Sequence, residues 1–162
     1  MRIERTTDPE LIRYVITHES IYPHVSDDGS AAPDDYEPVI GEPIYWLAVM
    51  DGQQVAGLFM VHPWNSATIE IHTCILPSWR GVQAREAASL VLAWIFNKTA
   101  FQKVVTHVPA TNRLAKKLAL DAGFSIEGIN RKSFLKNGHL INQALLGITK
   151  EEWSTCQLQQ QL

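Results

Sequence analysis

At 162 residues, with 46% hydrophobic and 19% charged side chains, the chain can fill one core and reads as a single domain. A formal charge of −3 excludes broad, non-specific nucleic-acid binding, though not a local basic patch. The two cysteines, Cys74 and Cys156, form neither a CxxC pair nor a metal spacing, so no disulfide framework is implied and a reducing cytosol fits. The opening MRIERTTDPE has no apolar signal core, and no apolar run reaches the ~20 residues needed to cross a bilayer. The expectation is a soluble, cytoplasmic protein without a membrane or nucleic-acid partner.

Arg2 to Thr6 reads as a first strand. Asp8 or Thr7 can cap a helix with Pro9 and Glu10 in its first turn and Leu11, Ile12, Val15 and Ile16 as its apolar face. Tyr22 to Pro43 carries four prolines and the acidic pairs Asp27-Asp28 and Asp34-Asp35. Loops of this length are binding loops, lids or solvated segments. Ile21, Tyr22, Tyr36, Val39 and Ile40 supply apolar anchors, which point to an ordered loop with a helical turn. Ile44–Met50 and Gln54–His62 form a hairpin around Asp51-Gly52.

The stretch from Thr68 to Asn97 predicts a strand, a sharp turn and a helix. Ile69, Ile71 and Ile75 fall on one face of the strand, and Glu70, His72 and Cys74 on the other. Pro77 ends it. Ala84, Ala87, Ala88, Val91, Leu92, Ile95 and Phe96 form one apolar helix face. Unpaired N–H groups at such a helix start favour phosphate or pyrophosphate. A strand at Lys103–Val108, a helix at Asn112–Ala122 stopped by Gly123, and a closing hairpin of Phe124–Leu135 and Leu140–Ile148 follow. The residues from Ser154 onward, 154–162, read as a polar, frayed tail to a domain spanning 1–153. The predicted order is β-α-βββ-α-β-α-ββ.

That order resembles the GNAT acetyltransferase superfamily. Leu76-Pro77-Ser78-Trp79-Arg80-Gly81, then Arg85-Glu86-Ala87, resembles its acetyl-CoA signature. Asn112-Arg113-Leu114-Ala115, Leu118, Ala122-Gly123-Phe124 and Glu127-Gly128 resemble its second signature. Phe134 to Gly138 and Leu146-Gly147 … Glu152-Trp153 are similar to Rim-type N-terminal acetyltransferases. Thr17 to Asp28 (THESIYPHVSDD) and Gly57 to Pro63 (GLFMVHP) are similar to short acetyltransferase-like proteins of tailed phages and prophages. The resemblance implies an α/β (α+β) fold: a GNAT-like, mixed, mostly antiparallel central sheet with helices on both faces. It implies acetyl-CoA as co-substrate, an amine acceptor (a protein N-terminus or a small amine) and direct transfer. The alternative is a catalytically weak or inactive binding or assembly protein of phage origin, with a phage structural partner. A homodimer is left open.

The resemblance also assigns roles. The turn Arg80, Gly81, Val82, Gln83, Ala84, Arg85 would hold pyrophosphate, but it departs from the usual R-G-x-G-x-G/A, with Gln83 near the second glycine. A plain strand-to-helix connection is the alternative. A backbone N–H within Cys74, Ile75 and Leu76 would polarise the carbonyl. Glu70 is the first choice of general base and His72 the second; the alternative is that both only satisfy polar surroundings on a half-exposed strand. Cys74 reads as a small buried residue rather than a nucleophile. Asn112 would bind the pantetheine arm or cap its helix. The family's acid positions are Ala115 and Ala119 here, and neither can donate a proton. The six histidines read as scattered, without metal spacing, so no metal is expected. Trp79 is the candidate cofactor wall.

Overall fold

The computed structural model describes residues 1–159. Strands β1 (Arg2–Thr6), β2 (Tyr45–Asp51), β3 (Gln54–Pro63), β4 (Thr68–Ile75), β5 (Lys103–Pro109), β6 (Ser125–Lys136) and β7 (His139–Thr149) form one sheet in the order β1-β2-β3-β4-β5-β7-β6. Only the β4–β5 pair is parallel. The helices are α1 (Pro9–Ile16), α2 (Tyr22–Val25), α3 (Val82–Lys98), α4 (Arg113–Asp121) and α5 (Lys150–Gln159). This is the mixed, mostly antiparallel sheet that the sequence predicts. Among the described residues, no helix is long and apolar enough to cross a membrane.

Local chemistry accounts for the boundaries. Asp8 Oδ1 accepts the N–H groups of Glu10 (3.0 Å) and Leu11 (3.3 Å) and so starts α1. Asn65 Oδ1 accepts those of Ala67 and Thr68, both at 2.9 Å, and fixes the turn into β4. The helical turn expected in the long loop is α2. The expectation for the C-terminus needs correcting over part of its length. Residues up to Gln159 are helical in α5, and 160–162 lie outside the described residues. The signal was present as Thr149-x-x-Glu152, a capping box. Glu152 Oε2 accepts the Thr149 N–H at 2.8 Å, and Thr149 Oγ1 accepts the Glu152 N–H at 3.2 Å.

The period-two pattern of β4 divides the core. Ile69, Ile71 and Ile75 join the apolar cluster under α3, and Cys74 joins the one under α1. All seven apolar residues expected on the inner face of α3 are buried there. Burying a side chain the size of Ile95 or Phe96 stabilises by about 1.5–3 kcal/mol. Packing is tightest where β3 crosses the end of β4. A Cβ on Gly57 would stand 2.4 Å from the Cys74 carbonyl oxygen and 2.9 Å from Ile75 Cα. Gly57→Ala is therefore expected to destabilise the fold by about 1–3 kcal/mol through overpacking, read as a lower midpoint in urea unfolding at unchanged m-value.

Candidate functional site

β4 and β5 are paired only at Thr68↔Lys103, Ile69↔Val104 and Glu70↔Val105. Beyond Glu70 both strands continue, β4 to Ile75 and β5 to Pro109, without pairing to each other. The gap is floored by α3 and α4 and opens into two adjoining cavities. The first, about 160 Å³, is lined by His72, Thr73, Thr106, His107, Asn112, Ala115, Ala119 and Gln143 among others. The second, about 240 Å³, is lined by Cys74, Ile75, Arg80, Gly81, Ala84, Arg85, Asn112 and Lys117 among others. His24, Val25, Thr73, Asn112, Ala115 and Leu118 border both, so they form one cleft.

Glu70 sits at the apex of this gap and is buried. Its Oε2 accepts Trp64 Nε1–H at 2.6 Å, and its Oε1 bonds His107 Nδ1 at 3.0 Å. His72 Nε2 lies 3.5 Å from Oε1, and His62 Nε2 lies 3.7 Å from Oε2. Burial alone would raise the Glu70 pKa. The His107 hydrogen bond, neighbouring His72 and the Trp64 N–H outweigh it and hold the carboxyl below its ordinary range. For His72, burial disfavours the imidazolium and wins over the opposing pull of Glu70, with His62 and His107 adding to it; its pKa lies below the ordinary histidine value. At neutral pH the group is a carboxylate beside a neutral imidazole.

The histidines that read as scattered are thus gathered: His62, His72 and His107 converge on one carboxylate. The sequence reading missed His62, His107 and His24 as site residues. His62 had a readable signal, because the Pro63–Ser66 turn places it directly opposite Glu70. His107 had none, since its position depends on the parallel β4–β5 register.

The other predicted residues are placed as follows. Leu76 N–H is spent on the Ala56 carbonyl at 3.0 Å. By antiparallel alternation Cys74 N–H also faces β3, so Thr73 and Ile75 are the residues whose N–H groups face the gap. Cys74 is fully buried and burial pushes its thiol up to about 12, which rules it out as a thiolate at neutral pH. Gly81, at φ +80°, turns the chain into α3. Among the described residues no side chain caps that helix start, and the first intrahelical bond is Arg85 N–H to the Gly81 carbonyl. Val82 and Gln83 are exposed, while Ala84 is buried. The Arg80 guanidinium reaches back to the Ser20 carbonyl (3.0 Å), Ser20 Oγ (3.2 Å) and the Ile75 carbonyl (3.4 Å). Arg85 lies 3.8 Å from Asp121. Asn112 Oδ1 accepts Ala115 N–H at 3.1 Å and caps α4. Trp79 packs against both core clusters and lines neither cavity, which corrects the expected cofactor wall.

The start of the long acidic loop roofs the cleft. His24 and Val25 border the cleft, and the loop is tied down just beyond them. Lys136 Nζ donates to the Ser26 carbonyl at 2.7 Å, and Asp28 accepts the N–H groups of Asn137 (2.8 Å) and Gly138 (2.7 Å) at the tip of the β6–β7 hairpin.

Comparison with solved structures gives the fold its name. A spermidine N-acetyltransferase from Vibrio cholerae, solved in complex with CoA and spermine, superposes with a TM-score of 0.78 at 20% identity, over 94% of this chain and 96% of that one. The spermidine/spermine N-acetyltransferase SpeG from the same organism, solved with manganese ions, gives 0.64 at 24% identity, over 71% and 70%. The chain shares the fold of these two structures, which is the GNAT-like fold its element order resembles. By sequence the chain belongs to the family described as "Protein of unknown function (DUF2824)", which matches residues 10–160. Protein p31 of Acyrthosiphon pisum secondary endosymbiont phage 1 is 27% identical over 107 residues, covering 66% of this chain and 69% of that protein.

The backbone donors of Gly138 and Asn137 hold the Asp28 carboxyl below its ordinary value. A depressed folded-state pKa stabilises the roof above the ordinary Asp value of ~3.9 and ceases to do so as pH falls through the lower, folded value. Amide exchange at Asn137 and Gly138 is expected to accelerate in Asp28→Ala at neutral pH. In the wild type, roof contacts seen by NMR are expected to persist at pH 5 and weaken below about pH 4.

Proposed function

We propose that the chain is an acetyl-CoA-dependent N-acetyltransferase that acylates an amine directly. The observation that carries this reading is the β4–β5 gap with an uncapped helix start at one end and the Glu70 cluster at the other. The N–H groups opening α3, with Gly81 beneath them, suit the pyrophosphate despite Gln83. Arg80 and Arg85 add positive potential, while the Arg80 hydrogen bonds tie Ser20, just before the roof, to the end of β4. Asn112 has its Oδ1 committed and its amide N–H groups left for the pantetheine arm. Ile75 N–H, within the expected Cys74–Leu76 segment, polarises the thioester carbonyl.

The amine nitrogen attacks that carbonyl, its proton passes to the Glu70 cluster, and the C–S bond breaks to release CoA thiolate. Glu70 and His72 remain the proposed base system. His107 joins them, since it lines the cleft and Glu70 fixes its Nδ1, leaving Nε2 for the proton. The loop–hairpin roof over the cleft favours a small amine over a protein N-terminus, which needs an open groove. The likeness to a spermidine enzyme complexed with spermine supports the same choice over a Rim-type acceptor.

A second reading has its own support. The phage relative and the alanines at 115 and 119, which leave the CoA thiolate without a hydroxyl donor on α4, favour a cofactor-binding or assembly protein with little turnover. Calorimetric titration with acetyl-CoA, followed by CoA-release assays over polyamines and N-terminal peptides, separates the two. The enzyme reading expects saturable binding and release of CoA, with Glu70→Gln and His107→Ala lowering kcat by about 10²–10⁴. Binding without release supports the second reading. No binding at high micromolar acetyl-CoA sinks the enzyme and cofactor-binding readings and leaves the assembly protein.

A further inference from the structure

We propose that His62, Glu70 and His72 bind one divalent first-row transition-metal ion, of which Zn²⁺ is the best match. This site shares Glu70 and His72 with the proposed base system, but metal binding does not rest on that reading and would stand if no transfer occurred. Its ligands come from paired positions on neighbouring strands: His62 on β3 lies directly opposite Glu70 on β4, and His72 follows two residues later on the same face. The ligand atoms all lie within 4.8 Å of one another. The separations are 3.4 Å between the two Nε2 atoms, 3.5 Å from His72 Nε2 to Glu70 Oε1, and 3.7 Å from His62 Nε2 to Glu70 Oε2. Bonds of about 2.0–2.2 Å to a tetrahedral zinc place neighbouring ligand atoms roughly 3.3–3.5 Å apart. The two imidazole nitrogens already stand at that separation and face different oxygens of the Glu70 carboxylate, so an ion held by both oxygens, or by one after a small carboxylate rotation, completes the set.

The chemistry of the triangle points the same way. Two imidazole nitrogens and a carboxylate face one another, and a single proton on one nitrogen can serve one or two of the three edges. A dication serves all three. Two imidazoles and a carboxylate form a borderline-soft set suited to zinc and its neighbours, and poorly suited to magnesium or calcium.

The carboxylate is also held from behind. Trp64 Nε1 donates to Oε2, and His107 Nδ1 bonds Oε1, the kind of outer support that fixes a metal-binding carboxylate. Each oxygen keeps a second lone pair for the ion. His62 and His72 are partly exposed, which leaves an entry path, and His72 lines the first cavity, so the ion would border the cleft.

The test is metal uptake by the full chain after chelator treatment and dialysis, with neither acetyl-CoA nor amine present. Zn²⁺ alone is titrated by calorimetry, and Co²⁺ serves as a spectroscopic probe. One ion per chain is expected, with an intense, tetrahedral-type Co²⁺ spectrum. His62→Ala should weaken uptake by at least the ~10–100-fold that loss of an outer support costs. Its side chain is 29% exposed, so the variant should fold, which circular dichroism checks. His139→Ala, on the exposed hairpin, should bind as the wild type does. Absence of saturable uptake, or equal uptake by His62→Ala and wild type, overturns the proposal. Metal uptake and CoA release are separate readouts, so failure of one leaves the other standing.

Discussion

The structure depends on the point where β4 and β5 stop pairing. Three register pairs, ending at Glu70↔Val105, join the two halves of the sheet. Beyond them each strand keeps its partner on the far side, β3 for β4 and β7 for β5, so the sheet remains continuous while its middle opens. Opening leaves strand N–H and C=O groups without ladder partners. Such groups are costly when buried and dry, so they are retained where a ligand or water can meet them. The cleft lies between a parallel pair with antiparallel neighbours on either side, with α3 and α4 lining it.

The apex of the gap carries the strongest electrostatic constraint. Burying a carboxylate costs several kcal/mol unless it is paired and hydrogen-bonded. Glu70 meets that condition with a tryptophan N–H, one bonded histidine and two more within 3.7 Å. Those partners come from β3, the turn after it, β4 and β5. The same residues that solve a folding problem thereby assemble a chemically dense cluster that borders the cleft. A proton relay and a metal site are two uses of one arrangement, distinguished by what occupies the space between the nitrogens.

At the other end of the cleft the design is sparse. The turn into α3 carries a single glycine, Gly81, and the nearby arginines are partly committed, Arg80 to Ser20 and Arg85 to Asp121. Arg80 links Ser20, just before the roof, to the end of β4, and Asp28 with Lys136 links the roof to the last hairpin. The long acidic loop is thus a structural member of the site. Its prolines and acidic pairs suggested a loop, but its anchors on the last hairpin are 109 and 110 residues away in sequence.

Sequence by itself determined the elements. Period-two alternation in β4, the seven apolar positions of α3 and the Asp8 and Asn112 caps were legible because they depend on neighbours within one or two turns of chain. The same locality gave Glu70 and His72 as one face of a strand. Tertiary structure decided what that face meets. His107 reaches Glu70 through a parallel register, His62 through an antiparallel one, and Ser20 meets Arg80 across the loop. These pairings are set by how strands and loops dock, which no local pattern encodes. A histidine alone in sequence therefore became one of three around a single carboxylate.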